Sequence, residues 1–276
     1  MKILLSNDDG VHSAGLKALH NALSDDHEVV VVAPDRERSA ASHSLTLHHP
    51  LRVLEVSQSW FSVDGTPTDC VHLALNGLLS GSKPELVVAG INMGANLGSD
   101  ITYSGTVAAA FEGTLSGVPS IAVSLVSRGP FEFGPAAAFS ARLVGEVVRR
   151  GLPNDTLLNV NVPDLPRERI RGVRVTRQGK SFYGEAIVEK VDPRGRKYFW
   201  IGGGDAPAYK DCLEGPCLVA MTFHAKSRHV TFFQARKCRE INVNCKVYIP
   251  REYTDNRPSK ARSVFNRIVT KDEKSD

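Results

Sequence analysis

Lys2-Ile3-Leu4-Leu5-Ser6-Asn7-Asp8-Asp9-Gly10 opens the chain with a short apolar run that ends on a cluster of oxygen-bearing side chains. Working outward, Leu16, Leu19, His20 and Leu23 fall at helical spacing, and residues 29–33 form a second, unbroken apolar run. An apolar run without alternation is the pattern of a strand buried on both faces, as in a parallel sheet. Strand, amphipathic helix and strand in that order imply a right-handed crossover between parallel neighbours.

The pattern continues to about residue 165. Residues 51–56 and 60–63 read as a short antiparallel pair. Thr66-Pro67 opens a helix through residue 79, with proline tolerated in the first turn because its missing N–H has no partner there. Residues 86–90, 121–124 and 157–162 read as strands. Residues 106–116 and 136–150 read as helices, and the Gly-, Asn- and Ser-rich stretch 94–105 as a loop. The expectation is a three-layer, Rossmann-like α/β fold, mostly parallel, with helices on both faces. Residues 1–165 would form the catalytic core. Residues 166–276 would form a hairpin-rich extension and oligomerisation arm, with a strand at 172–176 and Asp192-Pro193-Arg194-Gly195 turning between residues 186–191 and 197–201.

Composition sets limits on class. The 276 residues are 42% hydrophobic and 23% charged, ordinary for a globular protein and unlike a disordered or fibrous one. No apolar run approaches the roughly 20 residues of a membrane span, and Asp8 and Asp9 follow the first run too closely for a secretory leader. Five cysteines, an odd number, suggest a reducing cytoplasm without a disulfide framework. Residues 1–165 carry 10 Lys and Arg against 17 Asp and Glu, whereas the remainder carries 24 against 13. A basic second half suits a solvated or self-associating arm, and no nucleic-acid module accompanies it. Cys212, Cys217, Cys238 and Cys245, with His224 and His229, lack the spacing of a zinc knuckle. His12, His43, His48 and His49 read as surface residues near the cleft edge.

In an open parallel sheet, ligands bind beyond the carboxyl ends of the strands. Asn7, Asp8, Asp9 and Gly10 follow the first strand; Asp35, Arg36 and Ser39 the second; Asn92 the third. Adjacent carboxylates in one cleft repel, and a divalent cation removes the conflict. Carboxylate, hydroxyl and amide oxygens suit Mg²⁺ or Mn²⁺, and the absence of His and Cys argues against zinc. The alternative is that Asp8 or Asp9 caps the helix starting near Ser13. Tyr103-Ser104-Gly105-Thr106-Val107-Ala108 opens a helix of small side chains, whose free N–H groups and two hydroxyls would suit phosphate; plain helix capping is the alternative. Asn96, between these features, could donate to a phosphate oxygen. A GxGxxG dinucleotide motif is missing after the first strand, and Asn92 stands where a receiver domain would need an acceptor aspartate.

These segments, with Gly65-Thr66-Pro67-Thr68-Asp69, Asn159-Val160-Asn161-Val162-Pro163 and Val175-Thr176-Arg177, resemble the SurE (stationary-phase survival protein E) nucleotidase family over about residues 1–204. The resemblance implies a metal-dependent 5′-nucleotidase acting on nucleoside monophosphates, and in some members on 3′-nucleotides or short polyphosphate. It implies one divalent cation per subunit, with Asp8, Asp9, Ser39 and Asn92 as ligands and Asp8 and Asp9 as the catalytic pair. Asn96, Ser104, Gly105 and Thr106 match the phosphate-contacting positions. Family members exchange hairpins of the second half in homodimers or homotetramers. A non-catalytic phosphate- or polyanion-binding protein on a degenerate core is the alternative function. The similarity stops near Gly215, a break of the kind that a reading-frame change leaves; resequencing the locus tests this.

Overall fold

A computed structural model describes residues 1–127, 129–170, 172–175, 178–182, 187–201, 208–210 and 218–224. The strands are β1 (Lys2–Ser6), β2 (Glu28–Pro34), β3 (Val53–Ser57), β4 (Trp60–Val63), β5 (Leu86–Met93), β6 (Ser120–Val126), β7 (Thr156–Pro163), β8 (Val173–Val175), β9 (Lys180–Phe182), β10 (Ile187–Val191), β11 (Lys197–Ile201), β12 (Ala208–Lys210) and β13 (Leu218–His224). The helices are α1 (Ala14–Leu23), α2 (Pro67–Leu73), α3 (Gly105–Leu115) and α4 (Phe133–Arg150).

The main sheet runs β3-β4-β2-β1-β5-β6-β7-β13-β8. From β4 to β7 every neighbour is parallel, and β3 and β13 run antiparallel to β4 and β7. The order bears out the expected mostly parallel α/β sheet. The stretch beyond residue 165 contributes β8 and β13 to this sheet, two small hairpin pairings, β9 with β12 and β10 with β11, and the expected turn at residues 192–195.

Successive side chains of a strand point to opposite faces, so a strand covered on both sides must be apolar at every position. Ile3, Leu5, Val29 and Val31 pack on one face with Leu16, Leu19 and Leu23 of α1 and Phe139, Leu143 and Val147 of α4. Leu4, Val30 and Val32 pack on the other with Cys70 and Val71 of α2 and Val107, Ala109 and Ala110 of α3. The small side chains of α3 bring that helix close: a Cβ at Gly113 would lie 2.5 Å from Ser120 Oγ. Thr66 and Asp69 form a reciprocal capping box at the start of α2, and the helix continues as a π-helical turn through Leu78. Among the described residues, no helix is long and apolar enough to cross a membrane.

The chain leaves β1 for β2 through α1, whereas β5 lies on β1's other side and feeds α3 on the opposite face. The turns after β1 and β5 therefore diverge, and the crevice between them is where an α/β sheet places its ligand.

Candidate active site

Adjacent acidic residues need local support to stay at a strand end. Asn7, buried beside them, donates from Nδ2 to Gly10 O at 3.0 Å and to Ser13 Oγ at 2.7 Å. Ser13 Oγ in turn accepts from Leu16 N, so Ser13 is the cap of α1. This excludes helix capping as the role of Asp8 or Asp9 and leaves both carboxylates for other work.

Asp8 is buried, and its Oδ1 accepts a short hydrogen bond from Thr106 Oγ1. The backbone amides of Gly105 and Thr106 also favour its ionised form, yet burial dominates and holds its pKa above the ordinary carboxylate value. Asp9 is half-buried, and its Oδ2 accepts from Met93 N at 3.1 Å. Burial, then the charge of Asp8 and more weakly that of Glu37, push the Asp9 carboxyl up to about 7. Gly105 permits this approach of α3: a Cβ there would sit 2.7 Å from Asp8 Cβ.

The other expected residues are placed as follows. Ser104 is the N-cap of α3, its Oγ accepting from Val107 N at 3.1 Å, so the capping alternative holds for its oxygen while its hydroxyl hydrogen can still donate. Asn92, at the end of β5, donates from Nδ2 to Gly94 O at 2.9 Å, so its amide oxygen is the atom that a hard cation would take. Gly90 precedes it at φ +131° with Val123 O only 2.3 Å from a hypothetical Cβ, a combination open to glycine alone. Asn96 is buried, and its Nδ2 donates to Ser124 Oγ at 2.7 Å. Ser39 lies on the loop after β2 and is exposed; its hydroxyl donates to Glu37 Oε1 at 2.6 Å, not to either aspartate. That loop nevertheless reaches the site, since Arg38 N donates to Asp8 O at 2.7 Å and Ser42 N to Tyr103 O at 3.1 Å.

Among the described residues, no three His, Cys, Asp or Glu side chains are arranged to hold a metal ion. The donor set is instead two carboxylates, with amide and hydroxyl oxygens near them. Two adjacent carboxylates, their pKa values both raised by burial and that of Asp9 also by the charge of Asp8, form a site that a divalent cation would relieve, and hard oxygen donors fit Mg²⁺ or Mn²⁺.

Sequence reasoning missed several polar contacts. His43 is exposed, as expected, yet its Nε2 lies 2.8 Å from Glu112 Oε2, and His72 Nδ1 lies 2.7 Å from Glu112 Oε1. These pairs tie the loop and α2 to α3, and the hydrogen bond from His43 leads in lowering the Glu112 pKa. Asn159 and Asn161 on β7 reach the backbone of Asn96, for which the one available signal was two polar residues alternating within a buried strand. The cysteines at 212, 217, 238 and 245, His229, the His224 side chain and the break at Gly215 lie outside the described residues.

A family profile described as "Survival protein SurE" matches residues 3–185. A protein named "5'-nucleotidase SurE" from Geobacter sulfurreducens is 58% identical over 229 residues, covering 83% of this chain and 84% of that one. Its namesake in Geobacter metallireducens is 60% identical over 216 residues, covering 78% and 84%. The crystal structure of the SurE protein from Aquifex aeolicus superposes with a TM-score of 0.71 at 42% identity, covering 82% of this chain and 94% of that chain.

Proposed function

The chain belongs to the survival protein SurE family, and on that footing we propose that it is a 5′-nucleotidase, hydrolysing nucleoside 5′-monophosphates to nucleoside and phosphate between Asp8, Asp9 and the amino end of α3. The observation that carries this reading is the contact of a carboxylate pair, buried at Asp8 and half-buried at Asp9, with a helix amino end, through Thr106 Oγ1 on Asp8. Asp8, Asp9 and the Asn92 amide oxygen would hold one divalent cation, Mg²⁺ or Mn²⁺, with Ser39 joining after its hydroxyl leaves Glu37. Such a cation supplies Lewis-acid stabilisation of phosphoryl oxygens and makes water a better nucleophile near neutral pH.

The chain's own groups supply the rest. The Ser104 hydroxyl, the Asn96 amide and the N–H groups of Gly105 and Thr106, which also favour the ionised form of Asp8, would meet the phosphoryl oxygens, where charge accumulates during transfer. A carboxylate oxygen of Asp9 left free by the cation would take the proton from the attacking water. 3′-Nucleotides and short polyphosphate end in the same terminal phosphate and are secondary substrates on this reading. Assembly into a homodimer or homotetramer through the β10–β11 hairpin is supported by its exposed apolar side chains, with Trp200 62% and Ile201 92% exposed. A cytoplasmic setting is supported by the free, buried thiol of Cys70.

The test is phosphate release from a panel of 5′- and 3′-nucleotides with chelator and with added Mg²⁺ or Mn²⁺. Release should stop with chelator and return with the cation. Asp8→Asn should lower kcat by about 10³-fold or more while circular dichroism stays that of the parent. Turnover indifferent to chelation, or near-normal turnover by Asp8→Asn, counts against the reading.

A further inference from the structure

Three polar side chains lie fully buried on two neighbouring strands of the main sheet: Ser124 on β6, and Asn159 and Asn161 on β7. Buried positions of parallel strands favour branched apolar side chains, and asparagine is depleted in strands. A buried amide also has to recover the hydrogen bonds that it loses to water. Here the recovery is incomplete, since Asn159 Oδ1 has no hydrogen-bond partner. Stability alone does not explain this choice of residues.

Their hydrogen bonds converge on one residue. Asn96 N donates to Asn161 Oδ1 at 2.8 Å. Asn96 O accepts from Asn159 Nδ2 and from Asn161 Nδ2, both at 3.0 Å. Asn96 Nδ2 donates to Ser124 Oγ at 2.7 Å. Both backbone polar groups and one side-chain hydrogen of Asn96 are thus held by the sheet. An amide nitrogen carries two hydrogens, so engaging one with Ser124 fixes the direction of the other. The sheet register adds a second consequence. Ser124 is paired with Asn92 of β5 on one side and with Asn161 on the other, so the three stand abreast across β5, β6 and β7. The loop between Asn92 and Asn96 is therefore seated at both ends on one row of polar residues.

We propose that Ser124, Asn159 and Asn161 are positioning residues of the nucleotidase reaction, clamping Asn96 so that its remaining amide hydrogen is aimed at the substrate phosphate. The inference rests on the reading that Asn96 contacts phosphate. None of the three touches substrate. They act through Asn96, and misplacing a substrate-positioning group by about 1 Å costs about 10²-fold in rate.

Ser124→Ala is the informative variant, because it removes a single oxygen and leaves the Asn159 and Asn161 clamps in place. It should lower kcat/KM for adenosine 5′-monophosphate by about tenfold, the loss of one hydrogen bond's worth of orientation, and raise the inhibition constant of inorganic phosphate by a similar factor. Asn96→Ala should lower kcat/KM by about 10²-fold. In the Asn96→Ala background, Ser124→Ala should add less than about twofold, because its route of action is already gone. Thermal melting of each variant separates folding from function, since a merely structural serine would lower Tm without moving the inhibition constant of phosphate. Equal losses from Ser124→Ala in both backgrounds, or an unchanged phosphate inhibition constant in the single variant, overturn the positioning role and leave the phosphate reading intact. Full activity of Asn96→Ala overturns the phosphate reading, and the positioning role with it.

Discussion

Asp9 is ionised only at a cost in the metal-free chain, and that cost has a definite pH signature. Its carboxyl rises from 3.8 in the unfolded reference to about 7 in the folded protein. Between those values the folded state binds more protons than the unfolded one, so stability falls as pH rises through the window. Replacing Asp9 by asparagine removes the penalty. In chelator, the Tm of Asp9→Asn should match that of the parent near about pH 4 and exceed it by several degrees near about pH 8. Adding Mg²⁺ or Mn²⁺ at the higher pH should raise the parent's Tm more than the variant's. A melting-point difference independent of pH would assign the burial of Asp9 some other consequence. Asp8 and Asp9 were legible in the sequence because two acids directly after an apolar run have few structural uses. The environments of Ser39 and Asn96 were not. Asn96 is held by partners 63 and 65 residues away, and Ser39 by a local carboxylate at Glu37, neither of which leaves a periodic mark.

Elements were legible in kind and less so at their ends. β1 and β2 announce themselves by unbroken apolar runs, because both faces of the sheet are covered. The helix from Thr66 to about residue 79 is present, but its second half is π-helical, a change of hydrogen bonding that apolar spacing does not encode. The fit between elements is also invisible in sequence. Gly15 on α1 lies so close to β5 that a Cβ would stand 2.0 Å from Ile91 O, a backbone atom unable to yield alone. Gly15→Ala should therefore destabilise the fold by about 1–3 kcal/mol, read as a lowered denaturation midpoint. It should also weaken activation by Mg²⁺ or Mn²⁺, because Asn92 follows directly on Ile91. A midpoint equal to the parent's would mean that α1 slides aside without strain.

At the scale of the whole molecule, strand order was recoverable only in outline. Alternating strands and helices imply a parallel sheet, but the return of β13 to lie between β7 and β8 is a long-range pairing with no local signature. The hairpin β10–β11 forms a separate two-stranded sheet and presents Ile187, Phe199, Trp200 and Ile201 to solvent. Two strands alone are marginal in water, so such an apolar hairpin calls for a covering surface. A chain carrying both Trp200→Asp and Ile201→Asp should run at a smaller mass than the parent in light scattering coupled to size exclusion. A parent of one subunit's mass, or an unchanged oligomer in the double variant, would remove the hairpin from assembly.

The direction shared by β4, β2, β1, β5, β6 and β7 gives the molecule two unlike rims. Every turn that bears chemistry leaves from one of them. The connections on the other rim, at residues 24–27, 79–85, 116–119 and 151–155, serve only to bring the chain back. A Cβ placed at Gly81 would meet nothing within 4 Å. Evolution, or an engineer attaching a tether, can lengthen that back rim while the geometry of hydrolysis stays as it is.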